Sequence, residues 1–263
     1  MEEQKLVRLC PECKKEIFYS RKSDYTKAIK RNSLCKSCAV KKSSIFKKGH
    51  TLNDNVVRNN SLDKLIKEKT LQSFYWIGFI LADGCFYKNK FELGLAKKDL
   101  EVLESFSNYI NYKNKIMYRE NTNSYRISFS NSKSIPEFMK EYNISYRKTY
   151  NPVNFDKFNK NYSEDLLYAL LIGIIDGDGN IQNNGSPNAN VITITFHKNW
   201  INFYEKLLDF LDIPKHISLR KNSNTCVIRI YNKEIINRFV NLIIENNLFY
   251  IKRKWNIIIK DPA

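Results

Sequence analysis

The sequence predicts an α+β protein made of two similar repeats, with a small module in front of them. Two observations predict the repeats: an apolar run ending in Asp-Gly occurs at 76–84 and again at 171–179, and similar elements follow each run. A third observation, two Cys-x-x-Cys pairs near the amino end, predicts the module. The expected parts are a module over 1–48, a linker over 49–60, a first repeat over 61–150, a second linker over 151–162 and a second repeat over 163–263.

The two apolar runs have the composition of buried helices that pack against each other. Gly78 and Gly173 lie inside the runs, and a glycine lets another backbone come close because no side chain holds it away. Such packing brings Asp83 and Asp178, at the ends of the runs, side by side. Neighbouring carboxylates repel each other unless a cation lies between them, so the pair predicts a divalent metal site.

The alternative interpretation of Asp83 and Asp178 is an ordinary helix end before a turn glycine. A carboxylate is disfavoured at a helix C-terminus because the helix dipole is negative there. Its occurrence in both runs therefore requires a compensating cation.

Both repeats continue with the same order of elements. In the first repeat we expect helices beginning at an N-cap Ser61 and over 74–82, 99–109 and 134–142, with strands over 91–97, 116–119 and 125–129. In the second repeat we expect a helix from the N-cap Ser163 to Asp176, helices over 200–211 and 234–245, and strands over 191–196, 217–220 and 227–231. Basic residues recur at matching places, with Lys98 and Lys198 between a strand and a helix, and Arg147-Lys148 and Arg253-Lys254 after the final helices.

The four cysteines of the amino-terminal module are Cys10, Cys13, Cys35 and Cys38. Each Cys-x-x-Cys pair suits a turn that offers two thiolates to one ion, and two pairs complete a tetrahedral zinc site. The alternatives are reduced thiols without a ligand or a redox pair, but a redox role does not need the second pair. We therefore expect a structural zinc ion.

The charge of the chain predicts a polyanionic partner. Its 263 residues carry 44 Lys and Arg against 27 Asp and Glu, a formal charge of +17, and nucleic acid is the leading candidate. The alternative is a protein with a generally basic surface. Phosphate contacts are expected from a cluster in the module that comprises Arg21, Lys22, Lys27, Lys30, Arg31, Lys36, Lys41, Lys42, Lys47 and Lys48.

No membrane segment is expected, since neither apolar run is long enough to span a bilayer and each ends in Asp. The amino end opens on charge rather than on a signal peptide. We therefore expect a protein that is not secreted, in the cytoplasm or an organelle or encoded by a phage.

The two motifs at 76–84 and 171–179 resemble the paired signature of the LAGLIDADG homing endonucleases, in the single-chain form with two motifs. The resemblance covers about 61–260, and the cysteine module resembles small zinc-finger modules appended to such enzymes. It implies two pseudo-symmetric αββαββα repeats that pack through the motif helices. Each repeat is then expected to form a saddle-shaped antiparallel sheet whose concave face lies along the DNA major groove.

The resemblance also implies an activity, which is hydrolysis of one phosphodiester in each DNA strand, within a long asymmetric site, by a monomer. Asp83 and Asp178 are expected to hold Mg²⁺ or Mn²⁺, with backbone near Ala82 and Gly177. The family's basic residue near the metal waters is best matched by Lys98 and Lys198, which follow Lys97 and His197. The alternative for the two lysines is phosphate positioning without a chemical role. Asp176, matched by Leu81 in the first motif, is expected to be structural.

Base readers are expected among strand residues with charged or amide tips. The candidates are Lys88, Lys90, Arg119, Arg126, Gln182, Asn184, Arg220 and Arg229. The favoured function is a site-specific endonuclease of intron homing. The alternatives are an RNA maturase or a non-cleaving DNA-binding regulator of the same fold, and a structural zinc protein with a basic body.

Overall fold

The computed structural model describes residues 6–49, 60–183 and 190–259, with the backbone alone over 43–49. The chain divides into two compact units, Met1–Val57 and Arg58–Ala263. The helices are α1 Lys22–Lys30, α2 Lys36–Gly49, α3 Asp63–Lys67, α4 Leu71–Asp83, α5 Leu100–Tyr109, α6 Ser134–Glu141, α7 Phe155–Phe158, α8 Glu164–Asp178, α9 Ile201–Phe210, α10 Lys233–Glu245 and α11 Lys252–Trp255. The strands are β1 Leu6–Leu9, β2 Glu16–Tyr19, β3 Gly84–Tyr87, β4 Lys90–Ala96, β5 Met117–Arg119, β6 Ser124–Ser130, β7 Gly179–Asn183, β8 Asn190–His197, β9 Ile217–Leu219 and β10 Thr225–Ile230.

The larger unit contains two four-stranded antiparallel sheets of matching topology. Their strand orders are β3-β4-β6-β5 and β7-β8-β10-β9. Each sheet turns one apolar face to the core, where Phe91 of β4 packs on Phe106 of α5 and Phe196 of β8 packs on Tyr204 of α9. The predicted α+β fold of two similar repeats is confirmed.

Helices α4 and α8 start with side-chain caps and end with the two aspartates. Thr70 and Ser73 form a capping box at the start of α4, and Ser163 Oγ accepts from Leu166 N at 3.4 Å at the start of α8. The predicted cap at Ser61 is wrong by one residue. Leu62 is the N-cap of α3, and Ser61 Oγ accepts from Asp63 N at 3.4 Å instead.

The backbones of α4 and α8 touch at the two motif glycines. A Cβ on Gly78 would lie 1.9 Å from Leu170 O, and one on Gly173 would lie 1.9 Å from Tyr75 O. No side chain fits at either position, so the predicted role of the two glycines in close helix packing is confirmed. No helix among the described residues has the length and apolar character needed to cross a membrane.

Candidate active site and nucleic-acid interface

Asp83 and Asp178 lie at the ends of the two packed helices, where the chain turns into the first strand of each sheet. Gly177 leaves room there for Asp83: a Cβ on Gly177 would lie 2.3 Å from Ala82 Cβ and 3.2 Å from Asp83 Oδ2. Asp83 is half-buried and Asp178 is exposed. The structure therefore brings the two carboxylates to one place on the helix interface.

The surroundings of Asp83 and Asp178 disfavour the charged form of both carboxyl groups. Burial raises the pKa of Asp83 to about 6, and the nearby charge of Asp178 contributes to the rise. Protein atoms crowd the Asp178 carboxyl on the side away from solvent, and this desolvation raises its pKa too. Lys148 and Lys254 oppose both shifts. A raised pKa at paired acids indicates a functional site.

Two lysines cap the C-terminal ends of the motif helices. Lys148 Nζ donates to Leu81 O and Ala82 O, both at 2.6 Å. Lys254 Nζ donates at 2.6 Å to Asp176 O, and also to other carbonyls at the end of α8. An ammonium group satisfies the last carbonyls of a helix and offsets the negative end of its dipole. Each motif helix thus ends at a lysine ammonium group, and the divalent cation expected between the two aspartates stays a prediction.

The pKa of each capping lysine is lowered by burial, which disfavours the ammonium form. Asp178 and Asp83 oppose the shift at Lys148, and Asp176 opposes it most at Lys254. Each lysine therefore holds its charge mainly through the surrounding carbonyls and carboxylates.

Lys98 and Lys198 lie elsewhere in the site region. Both are exposed, on single 3₁₀ turns after β4 and β8. The lysine charges that act on Asp83 and Asp178 come from Lys148 and Lys254. The catalytic role of Lys98 and Lys198 stays a prediction, and the geometry favours the capping lysines for charge stabilisation at the carboxylates.

Sequence reasoning did not assign a function to Lys148 and Lys254. The signal was available, because an Arg-Lys pair follows the last full helix of each repeat. The repeated Arg-Lys pairs do not predict the path of the chain, and it is this path that brings each lysine back to the end of a motif helix.

A small cavity beside Asp178 has room for water. Its volume is about 60 Å³, and Lys148, His197 and Tyr204 line it together with Asp178. About 10–15 Å³ suffices for one water when polar partners are present. His197 Nδ1 accepts from Asn199 N at 3.3 Å, so the neutral ring carries its proton on Nε2. The cavity is suited to hold water beside the carboxylate.

The donor set at the helix ends fits a divalent cation. Within the described residues neither Asp83 nor Asp178 forms an ion pair, because Lys148 and Lys254 direct their ammonium groups at carbonyl oxygens. Two carboxylates next to water-sized space are ligands of the kind Mg²⁺ prefers. The carbonyls of Ala82 and Gly177, also expected near the metal, accept from Lys148 and Lys254.

The outer face of the first sheet carries an ion-pair network. Glu92 of β4 accepts from Lys90, Arg119 and Arg126, each at 3.1 Å. These three cations were predicted as base readers, and they come from three different strands, β4, β5 and β6. The register places Glu92 opposite Ser128 and Lys90 opposite Ser130, on the face away from the core. Lys88 lies exposed in the turn between β3 and β4.

The outer face of the second sheet has a different character. Gln182 and Arg229 lie on it, and Arg229 donates to Ser218 Oγ at 2.9 Å. Arg229 is paired with Thr193 across the strands, and among the described residues it forms no ion pair with an acid. Arg220 is exposed just past β9, and Asn184 lies outside the described residues. The two faces therefore offer different groups to a ligand.

Replacing Glu92 with glutamine is expected to release the three cations of the network. If this face binds DNA, as the sequence predicts, affinity for random duplex DNA should rise and its salt dependence should steepen, while discrimination against mismatched sites falls by about 1–3 kcal/mol. Binding titrations over a range of salt concentrations measure both effects. Glu104→Gln, the same charge change on the exposed side of α5, should leave discrimination unchanged. Unaltered discrimination in Glu92→Gln would contradict the expectation that Glu92 holds the three cations in position for base reading.

The four module cysteines form one cluster, with their sulfur atoms all within 4.8 Å of one another. Cys13 Sγ and Cys35 Sγ lie 3.6 Å apart, close to the separation that a tetrahedral zinc ion with bonds of about 2.3 Å gives. The Ser37 hydroxyl lowers the pKa of Cys35 to about 6, and backbone N–H groups lower the pKa of Cys10. These donors favour the thiolate form at Cys35 and Cys10, which is the form that binds zinc, whereas the hydrogen bonds of Cys38 with Cys13 and Cys35 raise the pKa of Cys38 to about 12.

Replacing Cys38, which is buried, with serine is expected to remove the metal and unfold the module. Binding of structural zinc supplies about 10–16 kcal/mol of folding free energy in small modules, far more than this unit's small core provides. Metal analysis should give one zinc per wild-type chain and none per variant chain. Cys226→Ser, at a buried thiol in the larger unit, should keep its zinc. Full zinc content in Cys38→Ser would contradict the assignment.

Residues 165–243 match the family model described as the LAGLIDADG-like domain. The second repeat therefore contains a LAGLIDADG-like domain, and the first sheet repeats its strand order. No curated protein sequence matches the chain significantly.

Solved structures with a similar arrangement include nucleases on DNA. The I-LtrWI LAGLIDADG homing endonuclease bound to target DNA is 16% identical, with a TM-score of 0.49, over 73% of this chain and 87% of that chain. The I-SmaMI LAGLIDADG homing endonuclease bound to cleaved DNA is 18% identical, with a TM-score of 0.46, over 68% of this chain and 84% of that chain. I-SmaMI bound to an uncleaved DNA target with calcium ions is 16% identical, with a TM-score of 0.47, over 68% and 86% of the two chains.

Proposed function

We propose that this protein is a site-specific endonuclease that cuts both strands of duplex DNA with divalent metal, in the manner of homing endonucleases. One observation carries the proposal: among the described residues, Asp83 and Asp178 lie close together without an ion-pair partner at the ends of two packed helices, and each is followed by a sheet of the same topology. One carboxylate for each sheet suits the cutting of one phosphodiester in each of two strands. A single chain supplies both halves, so we propose a monomer.

Asp83 and Asp178 would hold Mg²⁺ or Mn²⁺ through their carboxylate oxygens. When bound, such an ion supplies an activated water and stabilises negative charge on phosphate oxygens. Lys148 lines the cavity next to Asp178, where its ammonium group stabilises charge that develops on the phosphate. Lys254 has the matching position at the end of α8. The side chains around the cavity limit the number of waters beside the carboxylates.

The sheet faces would read the DNA. Lys90, Arg119 and Arg126 on the first face suit guanine edges and phosphates, and Gln182 and Arg229 on the second face suit adenine and guanine edges. Because the two faces differ, the two half-sites should differ, which makes the target asymmetric. Lys98 and Lys198, exposed after β4 and β8, would contact phosphates near the cut. The zinc module would add phosphate contacts through its exposed lysines and arginines.

A second candidate function is a binding protein of the same fold that does not cut, such as an RNA maturase or a DNA-binding regulator. Retention of both acids favours the nuclease, because binding alone does not need two carboxylates whose charges are disfavoured. The sheet faces by themselves serve either function.

A cleavage selection separates the two functions. The full chain is incubated with a randomised duplex library and Mg²⁺, and the cut ends are sequenced. The proposal predicts ends that define one long site with a cut in each strand, and no cutting when EDTA replaces Mg²⁺. An absence of cutting, together with tight binding of structured intron RNA, would establish the maturase instead.

A further inference from the structure

Each capping lysine belongs to a short segment that caps the motif helix of its own repeat and also contacts the other repeat. The first arm, 145–150, carries Lys148, and the second arm, 251–255, carries Lys254. Arg253 of the second arm forms a two-point ion pair with Asp99 of the first repeat, at 2.7 and 3.0 Å. The position of each lysine therefore depends on what holds its arm in place.

The second arm is fixed at both ends by one buried carboxylate. Asp176, with 2% of its surface exposed, accepts at Oδ2 from Ile251 N at 2.8 Å and at Oδ1 from Trp255 Nε1 at 2.8 Å. These donors lie at the start and the end of the arm, and Lys254 lies between them. Tyr75 OH of α4 gives Asp176 a third hydrogen bond, also at 2.8 Å.

The first arm has no such carboxylate, because Leu81 occupies the place in α4 that Asp176 has in α8. Residues of the second repeat hold this arm instead. Trp200 Nε1 donates to Lys148 O at 2.9 Å, and Asn199 Nδ2 donates to Tyr150 O at 2.9 Å. The two halves of the site therefore place equivalent lysines by different means.

We propose that Asp176 is a positioning residue that holds Lys254 at the end of α8 through Ile251 and Trp255, and that it serves this half of the active site alone. A buried carboxylate with three donors is costly to leave half-satisfied, so the arm cannot shift without leaving polar groups unpaired. The expected effect of Asp176 on DNA cleavage rests on the proposed nuclease function. The anchoring of the second arm by Asp176 does not, because it is a property of the folded chain.

Asp176→Asn tests the anchoring. Asparagine keeps the size of the side chain but has one acceptor oxygen, so it cannot serve both ends of the arm. Hydrogen exchange followed at single residues should be faster in the variant at the Ile251 amide or at the Trp255 indole N–H, whichever the single oxygen leaves without an acceptor. The amides in the middle of α8 should be unchanged. Unchanged exchange at both ends of the arm, or equally faster exchange throughout α8, would overturn the proposal.

Cleavage of a selected duplex, labelled on one strand at a time, tests the link to Lys254. Lys254→Ala first identifies the strand whose cutting depends more on Lys254. Asp176→Asn should slow that strand by about 10- to 100-fold and leave the other within about twofold. In the Lys254→Ala background Asp176→Asn should have no further effect, whereas in the matched Lys148→Ala background its effect should be retained in full.

Equal slowing of both strands, or an undiminished effect in the Lys254→Ala background, would overturn the proposal. Trp255→Phe removes the indole N–H that donates to Asp176 Oδ1 and keeps an aromatic ring. It therefore tests the same hydrogen bond if Asp176→Asn does not fold. The same strand should be slowed by Trp255→Phe. If the wild-type chain cuts no duplex, the nuclease function fails, while the exchange experiment still decides whether Asp176 holds the arm.

Discussion

Replacing Asp83 or Asp178 with asparagine is expected to reduce double-strand breakage by about a thousandfold. Charge stabilisation by a metal that these carboxylates hold contributes several kcal/mol, and a factor of ten in rate corresponds to about 1.36 kcal/mol. Duplex affinity should stay near that of the wild type, because the sheet faces supply most of the contacts. Linearisation of a plasmid that carries the selected site measures breakage, and a binding titration in Ca²⁺ measures affinity.

Asp165→Asn is the matched control for this prediction. It makes the same change at the opposite end of α8, where Asp165 lies in the first turn of the helix. Its cutting should equal that of the wild type. Breakage at wild-type rates by Asp83→Asn or Asp178→Asn would show that the two carboxylates are not the metal ligands of a nuclease.

The same substitution at Asp83 should stabilise the protein in the absence of metal. The pKa of Asp83 is raised from 3.8 to about 6 in the folded protein, so the folded state binds more protons than the unfolded state in this range. Stability therefore falls as pH rises from about 4 to about 6 and stays lower above it. At pH 7.5 we expect Asp83→Asn to be more stable by about 1–2 kcal/mol, a value reduced for partial exposure. Denaturant melts at pH 4 and 7.5 should show this gain at the higher pH alone.

Replacing Gly173 with alanine is expected to cause a large loss of stability in the larger unit. The added Cβ would lie 1.9 Å from Tyr75 O and 2.8 Å from Phe79 N, both backbone atoms of α4. Neither atom can move without separating the two helices, so we expect a cost of about 3 kcal/mol or more. Thermal melting should fall by about 6–12 °C for a loss of this size.

Gly94→Ala is the control for the stability prediction. Gly94 lies on the exposed outer face of β4, and its Cβ would be 3.8 Å from the nearest atom, Tyr125 O. Alanine should be neutral or slightly stabilising there, because glycine weakens a strand interior. Equal melting temperatures for Gly173→Ala and the wild type would contradict the close contact of α4 and α8.

Much of the fold follows from local patterns in the sequence. Gly78 and Gly173 inside apolar runs predict a close helix contact, and the equal order of elements after each run predicts two similar sheets. No bounds were predicted for β3 and β7, because each is a short strand that begins at the glycine directly after a motif helix. The N-cap was predicted at Ser61 rather than Leu62, because Ser61 has a hydroxyl that accepts from Asp63 N, although Leu62 is the residue directly before the helix.

The contacts that complete the candidate site depend on the path of the chain. Lys148 and Lys254 reach the helix ends only because the two arms fold back across the repeats, and no periodicity encodes such a return. The network around Glu92 joins side chains from three strands, so it needs the sheet register, which pattern alone does not fix. The repeated Arg-Lys pairs were visible in the sequence, but their role required the three-dimensional arrangement.

The identity of the strand that each variant still cuts tests the central claim most directly. Duplexes labelled on one strand at a time are incubated with the wild type, Asp83→Asn and Asp178→Asn in Mg²⁺. If each carboxylate serves one strand, the wild type cuts both strands and residual nicking by the two variants falls on opposite strands. Residual nicking of the same strand by both variants, or full cutting of both strands by either one, would contradict the claim.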